Sequence, residues 1–328
     1  MGAVETLIVS EEEAGLRLDR WLRRRWPHLG QSLIEKLART GQIRMNGSRI
    51  RADERLAEGA RLRVPPLPPP PSPSPDGPSL SRQEVKFARS LVILEDDLVL
   101  VLAKPSGLAV QGGTGIGRSL DALLSAFGEG PTRPRLVHRL DRETSGAIVL
   151  GRSVSAAAFL AEAFRTRETR KIYWAITAGA PEPARGLISL ALAKQFGKKM
   201  ERMAPAAPEV AGARSAVSRY ALLARQDQAG WLALEPLTGR THQLRAHLLA
   251  LGHPILGDRK YGDEASRRLG PGLKLQLHAR RLILPHPRGG FIDASAPPGP
   301  EFAQGMARFG FDACSAPADP FGEEARTR

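Results

Sequence analysis

The sequence predicts an α+β protein in which a small α/β domain precedes a larger domain with a mixed, largely antiparallel sheet. A proline-rich stretch divides the 328 residues, a length that suits two domains. Beyond this stretch, short predicted strands outnumber helices and follow one another through tight connections. This pattern favours antiparallel pairing over a doubly wound parallel sheet.

The small domain is predicted over residues 1–64. Apolar residues recur at helical spacing over 18–26 and predict a first helix. Ser32 and Glu35 stand at the spacing of a capping box and predict the start of a second helix. The Asn46-Gly47 pair between two alternating segments predicts a hairpin, and a further alternating strand closes the domain.

Residues 14–52 of this domain hold ten basic residues against two acids. A charge run is ordinarily a solvated face. Carried on two short helices and a hairpin, however, this charge resembles that of the S-four type RNA-binding module. That resemblance implies RNA contacts from six of the basic residues: Arg23, Arg24, Arg25, Lys36, Arg39 and Arg44.

The segment 65–80 is a predicted linker, because nine of the fourteen residues from Pro65 to Pro78 are proline. Such a segment forms a semi-rigid polyproline helix that spans about 3 Å per residue. The larger domain follows over 81–296. Residues 297–328 are rich in Pro, Gly, Ala and charge, and we expect a flexible tail there.

The elements of the larger domain follow from hydrophobic periodicity. Residues 171–177 alternate, with Ile172, Trp174 and Ile176 on one face and Tyr173 on the other. The remaining predicted strands cover 91–94, 98–103, 147–150, 215–223, 231–235 and 275–284, and helices are predicted over 119–127, over 154–164 and after Gly239.

The overall composition limits the class of partner. There are 48 basic residues against 34 acids, a net charge of +14, which favours a polyanionic partner. The single cysteine, Cys314, excludes a disulfide framework and a cysteine-based metal site. The first residues lack a signal-peptide pattern, and no stretch reaches the roughly 18 apolar residues of a membrane span. We therefore expect a cytoplasmic protein with no membrane partner.

The run from Leu136 to Gly146 is the most informative motif. It reads LVHRLDRETSG and leads a polar, charged tract into a predicted strand. Asp141, flanked by Arg139 and Arg142, could act as an ionised nucleophile on a sugar carbon, as carboxylates do in retaining glycosidases. From the spacing alone, a structural salt bridge explains the same residues equally well.

This run resembles the signature loop of the RluA/RluC/RluD-type pseudouridine synthases, whose HRLD followed by Thr-Ser-Gly is present in full. Three further stretches agree with the family in the same order: residues 104–108 with a Gly-Gly pair after them, 171–173, and 237–245. The resemblance extends over residues 90–287 and is closest to the RluC branch. It implies the pseudouridine synthase fold and an isomerase that converts uridines of large-subunit 23S ribosomal RNA to pseudouridine.

The resemblance also implies roles for individual residues. Asp141 is the carboxylate that helps to break the bond between ribose and uracil. Tyr173 stacks on the base and assists proton removal, while Arg245 pairs with Asp141, a role for which Arg240 is the second choice. Arg139 replaces the flipped uridine in the RNA stack, with a phosphate clamp as the alternative. Further RNA contacts are expected from His138, Lys171 and Arg240.

The reaction that the family performs requires no cofactor and no metal. The expected partner is large-subunit ribosomal RNA, free or in assembly intermediates, bound by a monomer. The segment 196–210, with Lys198, Lys199 and Arg202, lies outside the motifs. It is either a loop that contacts RNA or a disordered insertion.

Alternatives to this interpretation rest on weaker patterns. His242, His247 and His253 match no zinc-helix spacing, and the glycine-rich run 112–117 departs from a dinucleotide-binding loop. A nucleosidase or glycoside hydrolase would need a second carboxylate, for which Glu143 is the only near candidate. An RNA-binding factor with an inactive catalytic domain is opposed by the intact motifs.

Overall fold

The computed structural model describes residues 4–69, 80–112, 118–196 and 201–322, without the side chains of Phe196 and Glu201. The chain divides into two units, Met1–Ser79 and Leu80–Arg328, and each is described by itself. Most of the predicted linker, residues 70–79, and the glycine run 113–117 lie outside the described residues. The same holds for Lys198 and Lys199.

The first unit contains two helices and a four-stranded antiparallel sheet. Its elements are β1 (Glu5–Ile8), α1 (Leu18–Arg25), α2 (Gln31–Arg39), β2 (Arg44–Met45), β3 (Ser48–Arg49) and β4 (Arg61–Val64). The strands lie in the order β1-β4-β2-β3. The predicted hairpin is present between β2 and β3, where Asn46 and Gly47 take φ angles of 50° and 84°, as a two-residue turn of this kind requires.

One detail of the first unit differs from its prediction. Helix α2 begins after Gly30, which occupies the N-cap position, so the capping box predicted for Ser32 and Glu35 is wrong. Ser32 is already the second residue of the helix and cannot cap it. Glu35 instead accepts a hydrogen bond from the side chain of Gln31 one turn earlier, at 2.8 Å.

The second unit contains the remaining helices and strands. They are α3 (Arg82–Ser90), β5 (Val92–Glu95), β6 (Val99–Lys104), α4 (Leu120–Leu123), β7 (Arg135–Leu136), β8 (Ser145–Gly151), α5 (Val154–Arg165), β9 (Arg170–Ala178), β10 (Arg185–Ser189), β11 (Leu192–Phe196), β12 (Glu201–Pro205), β13 (Val217–Gln226), β14 (Ala229–Pro236), α6 (Gln243–Ala250), α7 (Glu264–Leu269), β15 (Leu277–Pro285), β16 (Phe291–Ser295) and α8 (Pro300–Arg308). Every strand predicted for this unit has a counterpart. Short 3₁₀ turns lie at 11–13, 124–127, 130–132 and 313–315.

Ten of these strands form one mixed sheet. Its main path runs β10-β13-β14-β9-β15-β8-β6-β5, with β16 paired to β15 and β7 paired to β8. Only the β15–β8 pair is parallel among the described pairs of this sheet, so the predicted α+β class with a largely antiparallel sheet is confirmed. Strands β11 and β12 form a separate antiparallel hairpin.

Strand β9 lies inside this sheet and separates two packing layers. Ile172, Trp174 and Ile176 point into a cluster that includes Phe302 of α8. Ala175 points to the opposite cluster, which includes leucines of α6. The predicted alternation of β9 is therefore confirmed, and it determines which side chains of this strand can reach each face.

The prediction of a flexible tail from residue 297 is wrong over the part that the structure describes. Helix α8 buries Phe302 and Met306, and the segment beyond it buries Phe311 and Phe321. The apolar residues one helical turn apart cover a face of the sheet that would otherwise be exposed. The high content of proline, glycine and alanine concealed these few large anchors.

None of the helices in the described ranges is long and apolar enough to cross a membrane.

Candidate active site

A cavity of about 550 Å³ opens in the second unit where the loop before β8, strand β9 and the start of α6 meet. Its volume is in the range of about 300–1,000 Å³ that is typical of small-molecule sites. Among the described residues, six cationic side chains and a single carboxylate, Asp141, line it. The cations are Arg139, Arg165, Arg167, Lys171, Arg240 and Arg245. Such a cavity suits a substrate with negative charge at its edges.

The loop that carries Asp141 is held from below by the segment 104–108. The ammonium of Lys104 is buried and donates to three backbone carbonyls, among them that of Arg142 at 3.0 Å. Gly107 donates its N–H to the same carbonyl at 2.9 Å. Burial lowers the pKa of Lys104 to about 8, against the opposing charges of Glu143 and Asp141. The hydrogen bonds of Lys104 and Gly107 therefore fix the backbone of the loop that carries Asp141.

The strand that follows the loop is attached to β15. Ser145 shares a 2.9 Å hydrogen bond with Nδ1 of His278. Burial lowers the pKa of His278 to about 4, so the ring is neutral near pH 7. A Cβ atom on Gly146 would lie 2.2 Å from the carbonyl oxygen of Ala279. Only glycine allows the two backbones to approach this closely.

Arg245 on α6 joins two carboxylates. Its Nη1 lies 3.2 Å from Oδ2 of Asp141, while Nε and Nη2 donate to both oxygens of Asp258 at 2.7 Å. The side chain of Asp258 is 0% exposed and that of Arg245 is 10% exposed. The guanidinium also lies 4.9 Å from the ring centre of Tyr261. Asp258 and Tyr261 therefore determine where Arg245 points.

The two oxygens of Asp141 differ in their surroundings. Arg245 contacts Oδ2, and Nε2 of His242 lies 3.7 Å from the same atom. No residue in the described part of the chain donates a hydrogen bond to Oδ1. The side chain of Asp141 is 30% exposed. One oxygen is thus held by protein groups and the other is open to the cavity.

The arginines beside Asp141 in sequence are not its partners. Arg142 lies near Glu143 at 3.5 Å and donates to the carbonyl of Gly107 at 3.1 Å. Arg139 is exposed at the cavity and forms no ion pair with any described residue. The two flanking arginines therefore form no ion pair with Asp141, and the arginine that contacts it is Arg245.

Tyr173 and Lys171 reach the cavity from the same face of β9. Burial, reinforced by the charge of Asp141, raises the pKa of the Tyr173 hydroxyl well above its usual range. The phenol therefore stays protonated. Burial also lowers the pKa of Lys171. Both side chains line the same cavity as Asp141.

The ring of His138 is held by two groups of the protein. Its Nε2 accepts the backbone N–H of Val149 at 3.0 Å, and its ring stacks on Phe164 with the centres 4.3 Å apart. Burial lowers its pKa to about 3, so the ring is neutral and its acceptor nitrogen is occupied. His138 thus anchors the loop while it lines the cavity, and its contact with RNA stays a prediction. Arg240, by contrast, is exposed and donates to the carbonyl of Ser215 at 3.1 Å.

The six basic residues predicted to contact RNA from the small domain belong to the first unit, and all are exposed. Arg25 pairs with Glu13 at 3.0 Å and lies over Trp21. Arg44 donates to the carbonyl of Gly41, just after α2, and to that of Gly47 in the hairpin turn. Arg23 donates to the side chain of Gln31. The other three form no ion pair with described residues: Arg24, Lys36 and Arg39.

Sequence reasoning missed Asp258 and Tyr261, and it considered His242 only as a metal ligand. Asp258 and Tyr261 follow a loop after α6, and no periodicity marks them. The one available signal was a lone aspartate just beyond a helix that carries a predicted functional arginine. Among the described residues, no group of three or more His, Cys, Asp and Glu side chains is arranged to hold a metal ion.

The chain is similar to known proteins in both sequence and structure. The family described as RNA pseudouridylate synthase matches residues 98–250. "Ribosomal large subunit pseudouridine synthase C" of Escherichia coli (strain K12) is 34% identical over 295 residues, which cover 88% of this chain and 91% of the relative. The protein of the same name from Yersinia pestis is 34% identical over 299 residues, with 88% and 89% covered. The solved structure "Human RNA Pseudouridylate Synthase Domain Containing 4" has a TM-score of 0.60 and 28% identity, and the match covers 71% of this chain and 99% of that one.

Proposed function

Because the chain belongs to the RNA pseudouridylate synthase family and is an isomerase that acts on RNA, we propose that it converts specific uridines of large-subunit 23S ribosomal RNA to pseudouridine. The relatives with about one-third identity are ribosomal large subunit enzymes by name, which supports this substrate. The observation that carries the mechanism is the position of Asp141. It is the single carboxylate that described residues bring to a cationic cavity, and none of them donates a hydrogen bond to its Oδ1.

In the proposed reaction, Asp141 assists cleavage of the bond between C1′ of ribose and N1 of uracil. The base turns within the cavity, C5 bonds to C1′, the proton on C5 leaves, and N1 gains a proton. Atoms therefore balance without a cofactor or a metal. Arg245 holds Oδ2 of Asp141, so Oδ1 is the oxygen that faces the ribose.

Tyr173 is the proposed stacking surface for the uracil ring. Its raised pKa supports stacking over a role as a phenolate base. A base inside paired RNA is inaccessible, so the uridine has to be flipped out. The exposed guanidinium of Arg139, free of any ion pair with described residues, is the proposed group that takes the place of the base.

The remaining cations are the proposed contacts to the RNA backbone. Arg240 and Lys171 line the cavity, and the S-four-like first unit adds exposed basic residues that raise affinity for RNA. We propose that the enzyme works as a monomer in the cytoplasm, on ribosomal RNA that is free or in assembly intermediates. Binding should weaken strongly with salt, since each phosphate contact releases counterions.

A nucleosidase or glycoside hydrolase fits this geometry less well. Such an enzyme would need a second carboxylate about 5–10 Å from the first. Glu143, the near candidate in sequence, lies beside Arg142 and is not part of the cavity wall. An inactive RNA-binding factor would have no need to hold Asp141 with one oxygen open.

The test uses 23S ribosomal RNA tritiated at C5 of uridine. Wild-type enzyme should release tritium to water in proportion to pseudouridine formed. Asp141→Asn should release it on the order of 10³-fold more slowly or slower still, and the matched variant Glu143→Gln should behave as wild type. Free uracil among the products would support a hydrolase. Absence of tritium release with wild type on any ribosomal RNA, or full release by Asp141→Asn, would overturn the proposal.

A further inference from the structure

A chain of hydrogen bonds leads from the β11–β12 hairpin to the carboxylate of Asp141. The backbone N–H of Met203 on β12 donates to Oη of Tyr261 at 2.9 Å. The same hydroxyl lies 3.0 Å from Nδ1 of His242. The other ring nitrogen, Nε2, lies 3.7 Å from Oδ2 of Asp141. The hydroxyl of Tyr261 is therefore shared between a hairpin and a cavity residue.

The direction of each bond follows from the number of protons. A phenol has one proton to donate. Because Met203 supplies an N–H, the Tyr261 oxygen accepts there, and its own proton is left for a different partner. Among the described residues the acceptor within reach is Nδ1 of His242. An imidazole that accepts at Nδ1 carries its hydrogen on Nε2 when it is neutral.

The charge state of the ring agrees with this assignment. Burial lowers the pKa of His242, Arg245 and Lys260 lower it further, and Asp141 and Asp258 oppose them. The ring is therefore neutral near pH 7 and has two tautomers to choose between. The hydroxyl of Tyr261 selects the one whose Nε2–H points at Asp141.

The backbone of His242 provides a second, independent observation. It has a φ of 52° and a ψ of 22°, in the left-handed region, at the N-cap of α6. This conformation costs a non-glycine residue about 1–2 kcal/mol, and outside tight turns such strain clusters at active sites. The helix gains no side-chain cap from it. In this conformation the ring lies between the Tyr261 hydroxyl and Oδ2 of Asp141.

We propose that Tyr261 and His242 are positioning residues for the isomerisation, which is itself the proposed function. The Tyr261 hydroxyl, oriented by the β11–β12 hairpin, fixes His242 as the Nε2–H tautomer. That N–H and the guanidinium of Arg245 approach Oδ2 of Asp141 from two sides and keep Oδ1 directed at the ribose. The 3.7 Å separation is long for a hydrogen bond, and contacts of this kind shorten when a substrate binds.

Tyr261→Phe is the decisive substitution, because it keeps the ring against Arg245 and removes only the hydroxyl. The tritium-release assay should give a kcat about tenfold lower with KM unchanged, since loss of orientation acts on the chemical step. Tyr220→Phe is the matched control, because the Tyr220 hydroxyl is also buried but donates to the carbonyl of Pro183. Its kcat should equal that of wild type at the same fraction folded.

A double-mutant cycle with His242→Gln separates positioning from packing. The glutamine amide donates from nearly the place of Nε2 and has no tautomers, so Tyr261→Phe should have little further effect on kcat in that background. An equal fall in both backgrounds would overturn the proposal. Thermal melts of all four proteins correct for differences in the fraction folded.

Nitrogen NMR of the ¹⁵N-histidine-labelled protein gives a readout that does not depend on activity. The resonances of His242, assigned through His242→Gln, should show the Nε2–H tautomer in wild type and a mixture in Tyr261→Phe. An Nδ1–H tautomer in wild type would overturn the proposal. A wild type that releases no tritium would instead refute the proposed function, whatever tautomer the NMR spectrum shows.

Discussion

Two clusters in the second unit are built from the same chemical groups and differ in how completely those groups are paired. The cavity cluster consists of Asp141, Arg245 and Asp258. The tail cluster consists of Arg170, Arg219, Glu235 and Asp319, and it lies where the C-terminal segment returns to β9, β13 and β14. Both clusters set arginines between carboxylates that are distant in sequence.

In the tail cluster every carboxylate oxygen has a partner. Glu235 is 4% exposed and receives Arg170 at 2.9 Å and Arg219 at 3.1 Å, one on each oxygen. Asp319 receives two nitrogens of Arg170 at 3.0 and 3.2 Å and the backbone N–H of Phe321 at 3.0 Å. The carboxylates of the tail cluster are therefore fully paired with groups of the protein.

In the cavity cluster one carboxylate oxygen lacks a hydrogen-bond donor among the described residues. Asp258 is closed in the same manner as Glu235, but Asp141 keeps Oδ1 without a donor among the described residues. A carboxylate with a free oxygen in a cavity can act on a substrate, whereas a closed one can only hold the fold. The difference supports the proposed catalytic role of Asp141 and a structural role of Glu235.

The largest expected effect is the loss of activity in Asp141→Asn. Its kcat should fall on the order of 10³-fold or more, as for removal of a principal catalytic group. Its melting temperature should stay close to that of wild type, because only one contact of Arg245 is weakened. Single-turnover tritium release and a thermal melt measure both. A marked loss of stability with activity retained would erase the distinction between the clusters.

Glu235→Gln should show the opposite pattern. Two arginines would lose their shared buried partner, and breaking a buried pair costs about 3 kcal/mol or more of unfolding free energy. Urea unfolding measures this loss. The kcat of the folded fraction should match wild type, since Glu235 does not line the cavity. A kcat reduced in the fully folded protein would show that the tail cluster also acts on the reaction.

The sequence predicted the features that depend on neighbouring residues, namely secondary structure and short motifs. Alternation and helical spacing located the strands and α6, and the motifs singled out Asp141, Tyr173 and Arg245. It could not predict the tail cluster, in which Arg170 is 65 residues from Glu235 and 149 from Asp319. No local pattern encodes contacts of such length.

Two further features were missed for separate reasons. The edge strands β10 and β16 are only five residues long, and their alternate residues are exposed, so their hydrophobic signal is weak. The order of the C-terminal segment depends on a few aromatic anchors that match the exposed face of the sheet. Complementarity between distant surfaces is a property of the folded chain and is absent from composition.

Arg245→Lys tests the arginine that contacts both the fully paired carboxylate of Asp258 and the partly paired carboxylate of Asp141. A lysine keeps the charge but cannot fork to Asp258 and reach Asp141 at once. The kcat should fall about tenfold through poorer orientation, with an unfolding free energy lower by about 1–2 kcal/mol. Arg170→Lys is the matched control, and it should lose similar stability with kcat unchanged. Equal kinetic losses in both variants would mean that the fork of Arg245 has no special role.

The smallest expected effect is a dependence of stability on pH that arises from Asp319 in the tail cluster. Burial opposes ionisation of Asp319, but the hydrogen bonds from Arg170 and from the Phe321 N–H outweigh it and lower its pKa. A carboxyl whose pKa is lower in the folded state stabilises the fold above its unfolded pKa of about 3.9. That stabilisation is lost as the pH falls through the lower, folded value.

Asp319→Asn should therefore melt at a lower temperature than wild type near pH 7, and the difference should shrink as the pH falls below about 4. Melting curves of both proteins across this range measure it. Tritium release near pH 7 should be the same in both, because the tail cluster contributes to the fold alone. A difference in melting temperature that stays constant with pH would show that the ionised carboxylate of Asp319 contributes nothing beyond packing.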